Sequence, residues 1–223
     1  MLSGKVIETR IYETTRNYDA LRCLCYEAKE YGFGAIQVFP CMIELTRETL
    51  KGADTVIDAL IAYPHGGFTI EQKAAEAAEA VRRGAGMVEV LINTREIKSG
   101  NYDYIYREMD AVKKAVGKDI HVAFNIEIES LTDDEAIETC KMAVKAGIDG
   151  IATSTGLYHT LDANKQDVPL VASAREVAML KKALGDTVAV KAVGNITTAA
   201  IAQELLSAGA DMVSSEFAGN LMH

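Results

Sequence analysis

Lys145-Ala146-Gly147-Ile148-Asp149-Gly150-Ile151-Ala152-Thr153-Ser154-Thr155-Gly156 runs from the end of a helical pattern, through a glycine, into a short apolar segment and out through a small polar turn. The helical pattern before it, 131–146, contains Thr132-Asp133-Asp134-Glu135, a capping box in which a hydroxyl and a carboxylate satisfy the first unpaired amides. Gly147 closes that helix, because glycine takes the left-handed conformation at little steric cost. A strand starting three residues later is half of a parallel sheet with crossover helices.

The same join recurs outward from this stretch, at Tyr31-Gly32-Phe33-Gly34-Ala35-Ile36, at Gly84-Ala85-Gly86-Met87-Val88 and at Ala208-Gly209-Ala210-Asp211-Met212-Val213. Apolar or β-branched runs predict strands at residues 5–10, 35–38, 55–62, 87–91, 120–126, 150–153, 188–192 and 212–215. Helical spacing separates them, as in 70–83, which follows Thr69 as a cap and ends at Gly84. Eight strands in units of about 28 residues predict a single-domain (β/α)8 TIM barrel over residues 1–223. A doubly wound open sheet is the alternative, but the first strand lacks the glycine-rich phosphate turn such sheets often carry.

Composition narrows the function. Of 223 residues, 49% are apolar and 25% charged, with three prolines and no tryptophan, the make-up of an ordinary globular domain. A net charge of −9 without any basic run argues against nucleic acid and anionic membranes as partners. No run of about 18 apolar residues occurs, and Met1-Leu2-Ser3-Gly4-Lys5 lacks the layout of a signal peptide, so a cytoplasmic protein is expected. Cys23, Cys25, Cys41 and Cys140 have no metal-type spacing and read as reduced thiols, with Cys23 and Cys25 on different sides of one helix. His159 falls in a predicted loop and His223 at the terminus.

Catalytic groups of such barrels sit at the carboxyl ends of the strands. Polar residues there are Glu8, Arg10, Gln37, Glu89, Asn125, Glu127, Thr153, Ser154 and Lys191. By strand alternation Glu8 shares a face with Arg10, and Ala123 with Asn125 and Glu127. Glu89 and Lys191 stand inside otherwise apolar strands, where an unpaired charge would cost several kcal/mol, roughly. Some of these residues can equally face the helices as structural ion pairs.

Taken in order, the motifs resemble deoxyribose-phosphate aldolase over nearly the whole chain. Val6-Ile7-Glu8-Thr9-Arg10 stands for that family's isoleucine-aspartate-histidine-threonine run, and Ala62-Tyr63-Pro64-His65-Gly66 for its glycine-phenylalanine-proline-x-glycine turn. Gly84-Ala85-Gly86-Met87-Val88-Glu89-Val90-Leu91-Ile92-Asn93 and Val190-Lys191-Ala192-Val193-Gly194-Asn195-Ile196-Thr197 stand for two further segments, and Ala152-Thr153-Ser154-Thr155-Gly156 for lysine-threonine-serine-threonine-glycine. The resemblance implies a class I aldolase barrel that needs no cofactor. It also implies a Schiff-base lysine at position 152, a second lysine at 191 and a proton-shuttling acid at 89. Here Ala152 cannot form an imine and Glu89 is one methylene longer than the family's aspartate.

In the family, phosphate is bound by a glycine pair and by a glycine-x-serine-serine turn, which this chain replaces with Gly194-Asn195 and Val213-Ser214-Ser215-Glu216-Phe217. A carboxylate at Glu216 would occupy or repel the anion position, so the expected substrate is a carbonyl or polyol compound without phosphate at that end. Several positions depart together, which reads as divergence rather than a single knockout. The chain stops at His223, which reads as no long tail over the site.

Three functions fit. One is a retargeted aldolase with Lys191 as the imine-forming or acid/base lysine and Glu89 and Glu127 moving protons; Gln37, Asn125 and Ser154 then hold hydroxyls, and Glu8, Arg10, Thr153, Gly194, Asn195, Ser214, Ser215 and Glu216 shape the substrate site. Another is a non-covalent isomerase, epimerase or lyase using Glu89 and Lys191, with a divalent metal on Glu8, Glu89 and Glu127 as a variant. The last is an inactive barrel that binds or assembles. Assembly as a homodimer or a tetramer is left open.

Overall fold

The computed structural model describes residues 2–11, 16–156, 159–161, 167–169 and 173–223. Its strands, in chain order, are β1 (Ile7–Arg10), β2 (Ala35–Val38), β3 (Val56–Ile61), β4 (Met87–Leu91), β5 (His121–Asn125), β6 (Gly150–Ala152), β7 (His159–Leu161), β8 (Asp167–Pro169), β9 (Ala189–Val193) and β10 (Met212–Ser215). All but β7 and β8 pair in parallel and close in the order β1-β10-β9-β6-β5-β4-β3-β2, so the sheet is a barrel and the open-sheet alternative fails. The eight barrel strands lie within two residues of their predicted ends. The antiparallel hairpin of β7 and β8 was not predicted, and His159, read as loop, lies in it. Three-residue strands outside the barrel are too short to show a period.

The helices are α1 (Tyr18–Tyr31), α2 (Ile43–Thr49), α3 (Ile70–Arg83), α4 (Thr94–Lys98), α5 (Tyr102–Val116), α6 (Asp133–Ala146), α7 (Ala174–Leu184) and α8 (Ala199–Ser207). Their starts follow from local chemistry: Thr69 with Gln72, Thr132 with Glu135 and Ser173 with Glu176 each form a full capping box. The outward residues of the strands, such as Ile57, Val90, Phe124, Ile151 and Val190, are fully or almost fully buried against apolar helix faces such as Ala77, Met109, Ala143 and Leu180. On α1, Cys25 is buried and Cys23 exposed, as their spacing requires.

Two helices also hold the barrel mouth by charge. Lys73 of α3 is wholly buried and donates to Glu108 Oε1 of α5 at 2.6 Å and to the Leu91 carbonyl at the end of β4, also at 2.6 Å. Glu108 Oε2 in turn accepts from the Asn93 amide at 3.3 Å. Gly66, at φ 61, packs so closely on this segment that a Cβ would stand 2.1 Å from the Ile92 carbonyl oxygen. Removing one member of a buried pair leaves the other charge uncompensated. Lys73→Met is therefore expected to lose about 3–5 kcal/mol of unfolding free energy in urea titrations, and Lys73→Met with Glu108→Leu to recover at least half of it.

Candidate active site

Strand register decides which side chains meet inside the barrel. One inward row runs Arg10, Gln37, Asp58, Met87 and His121 across β1 to β5, and another runs Leu91, Asn125, Ala152, Lys191 and Met212 from β4 to β10. Barrel strands are tilted, so these rows spiral and bring residues from opposite walls together.

At the centre is Lys191, only 5% exposed. Its Nζ lies 3.0 Å from both oxygens of Glu8, 2.7 Å from Asp58 Oδ2 and 2.6 Å from Glu89 Oε2. An ammonium has three donors: the two Glu8 oxygens and Asp58 Oδ2 accept from them, and Glu89 Oε2 pairs with it by charge without a hydrogen bond. Ser214 donates to Glu8 Oε1 at 2.6 Å, and Gln37 reaches Asp58 Oδ2 at 3.5 Å. Ala152, beside Lys191 in the register, is fully buried.

A polar chain leads from this cluster to the carboxyl end of the barrel. Asn125 Nδ2 donates to Glu89 Oε1 at 2.8 Å and to the Ser154 carbonyl at 2.6 Å, while its Oδ1 accepts from the Glu127 amide at 3.2 Å. Glu127 Oε1 accepts from the Thr155 amide at 3.1 Å. Beyond it opens a cavity of about 410 Å³ lined by Pro64, His65, Leu91, Ile92, Thr94, Arg95, Glu127 and Thr155. Arg10 Nη2 ties β1 to the Thr155 carbonyl at 2.5 Å.

The structure corrects several expectations. Glu127 does not continue the face of Asn125 by alternation: β5 ends at Asn125, and Glu127 has φ 49 and ψ 59, a left-handed turn that aims it at the cavity. Thr153 and Ser154 spend their hydroxyls on the Val193 carbonyl, at 3.0 and 2.8 Å, and are buried. The Ser215 hydroxyl donates to the Ile196 carbonyl at 2.7 Å and accepts from the Phe217 amide at 2.9 Å, tying the loop after β9 to the turn after β10. Gly194, Asn195, Ser214, Ser215 and Glu216 do not line the cavity. The carboxylates that converge closely enough to offer ligands to one cation are Glu8, Asp58 and Glu89, within 4.8 Å of one another, not Glu8, Glu89 and Glu127. The positive charge among them belongs to Lys191.

Inside the barrel, Asp58 and His121 escaped the sequence reading. Asp58 is the lone charge in Val56-Ile57-Asp58-Ala59-Leu60-Ile61, the same signal that singled out Glu89 and Lys191. His121 begins β5 on the inward row, beside Gly150, whose missing Cβ would lie 3.3 Å from the imidazole Cε1.

No family model matches the chain. It is 35% identical over 214 residues to the deoxyribose-phosphate aldolase of Thermoanaerobacter pseudethanolicus, covering 95% of this chain and 92% of that one. It is 33% identical over 214 residues to the enzyme of that name from Caldanaerobacter subterraneus subsp. tengcongensis, covering 95% and 88%. The solved structure of deoxyribose phosphate aldolase from Aeropyrum pernix, described as tetrameric, superposes with a TM-score of 0.84 at 24% identity, covering 98% of this chain and 88% of that one, a likeness of fold.

Burial and charge set the protonation of the site. Burial pulls the Lys191 ammonium down, but Asp58, Glu8 and Glu89 together push it well above its usual 10.5. Burial raises Glu8 to about 7 against the pull of Lys191, and it raises Asp58 as well. Burial also raises Glu127 to about 7, opposed by its hydrogen bond from Thr155. A carboxyl group raised on folding adds stability that is full below its unfolded value, 4.5, and is lost as pH rises through about 7. Each of the two contributes on the order of 3 kcal/mol across that window. Unfolding free energy measured in urea should accordingly fall between pH 5 and pH 8, and Glu8→Gln should flatten the slope; a rise with pH would contradict it.

Proposed function

The chain belongs to the deoxyribose-phosphate aldolase family, and on that footing we propose that it is an aldolase-type carbon–carbon lyase working on a small hydroxy-carbonyl compound without an imine at position 152. The observation that carries the reading is the Lys191 ammonium held by three carboxylates beside Ala152. An amine so placed stays protonated near pH 7, so it serves as a fixed cation rather than as a nucleophile.

The chemistry then divides between two places. Glu8 accepts from the ammonium through both oxygens, and a substrate carbonyl oxygen takes its place there. At the cavity, Glu127 takes the proton of the β-hydroxyl group. That hydroxyl carbon becomes a carbonyl as the carbon–carbon bond breaks, and the electron pair passes into an enolate whose oxygen faces the Lys191 ammonium. Glu127 returns the proton to the enolate carbon, so atoms and charge balance and no cofactor enters. A carboxyl group raised to about 7 suits both halves of that transfer at neutral pH.

The substrate in this reading carries no phosphate at the β9 and β10 end. The Ser215 hydroxyl is used within the protein, and the half-buried Glu216 puts a carboxylate in the turn. Self-association and a cytoplasmic location belong to the same reading, the first supported by the tetramer described for the Aeropyrum pernix relative.

Cleavage of hydroxy-aldehydes should show kcat/KM rising with pH through about 7, and Glu127→Gln should lower kcat by about 10²–10⁴-fold. Borohydride added during turnover should leave Lys191 unmodified by mass spectrometry; a reduced adduct on it would replace the acid–base mechanism with an imine. Inorganic phosphate should fail to compete with substrate, and saturable competition would return the phosphate to its family position.

A further inference from the structure

The cavity at the mouth is open on the side of the barrel built by β3, β4 and β5, away from the loops where the family binds phosphate. Its lining has three distinct parts. Pro64, Leu91 and Ile92 make an apolar wall. Glu127 is 5% exposed, and its Oε2 has no hydrogen-bond partner among the described residues, which leaves an acceptor at the base. Arg95, on the short helix α4, brings a guanidinium to the same cavity, with its Nη1 beside Gly67.

Arg95 differs from the cations near it. Lys98 of the same helix is paired with Glu135 at 2.7 Å, and the Arg107 guanidinium lies over the Tyr104 ring. Arg95 makes no ion pair and no side-chain hydrogen bond among the described residues. A guanidinium is a rigid fork of donors that fits a carboxylate with two parallel bonds. One such fork, in a cavity that also holds the Glu127 carboxyl, suits a single negative charge better than the two of a phosphate ester.

We propose that the substrate of the lyase ends in a carboxylate, which Arg95 binds at the mouth while Glu127 receives the hydroxyl and the intervening carbons lie on Leu91 and Ile92. This rests on the preceding functional reading and names the substrate class: short hydroxy-carbonyl acids. The anionic end of the substrate has then moved across the barrel, from the β9 and β10 loops to α4.

Equilibrium binding separates this from the chemistry, because the probes do not react. Calorimetry with 4-hydroxybutanoate, 1,4-butanediol and 4-hydroxybutyl phosphate on the wild-type protein should favour the carboxylate over the diol by about tenfold or more, the usual size of a charge-assisted hydrogen bond. Arg95→Gln, an exposed position whose replacement should leave the melting temperature unchanged, should erase that preference, and Arg95→Lys should restore part of it. Equal binding of acid and diol, a preference that survives in Arg95→Gln, or tighter binding of the phosphate ester would each overturn the proposal. Carboxylate preference without lyase activity would support the subsite and sink the lyase reading; lyase activity without the preference would do the reverse.

Discussion

A lysine ammonium inside a barrel, bound to three carboxylates from three other strands, is the contact on which the rest of the site depends. Barrel interiors are usually filled by branched apolar side chains. Here Lys191, Glu8, Asp58 and Glu89 take that space, and each would be costly to bury alone. Their neighbours are correspondingly small: Ala123, Gly150 and Ala189 stand in one inward row and Ala152 in the next. The long side chains fit beside the small inward residues of β6, the middle of β5 and the start of β9.

The mouth is held from outside. Lys73 and Glu108 bind the end of β4 and the start of the following turn, and the half-buried Glu76 accepts from the Ala62 amide at 3.0 Å after β3. Ala62, at φ 59, and Glu127 are the non-glycine residues with left-handed backbone among those described. Both lie at this end of the barrel, where strained conformations persist only if their surroundings over-determine them. The outer helices supply that support, so segments that read as plain scaffold carry charges that fix the cavity wall.

How far the sequence could be read follows from the kind of signal each feature leaves. Strands and helices were legible because burial on one face imposes a period and caps impose residue types, as at Thr132 and Gly147. Glu89 and Lys191 were legible as charges in apolar runs, and Asp58 gave the same signal without being followed up. Glu127 was found for a wrong reason, since alternation ends where its backbone turns left-handed. The partners of the Thr153, Ser154 and Ser215 hydroxyls were not legible because a hydroxyl's partner is set by segments distant in sequence. Arg95 sits on a five-residue helix with no period to mark it, and its meaning came only from the cavity it lines and the partner it lacks.

Ala152 has a consequence for the history of this chain. Restoring a lysine there would place a second ammonium one strand away from Lys191, in register with it. In the ancestral arrangement that the family motifs suggest, such closeness keeps one amine neutral and reactive. Here the carboxylates of Glu8, Asp58 and Glu89 would absorb the added charge, and the new amine would join the ion cluster rather than attack a carbonyl. A lysine regained at position 152 would thus meet an ammonium already held by three carboxylates, a different setting from an isolated pair of amines.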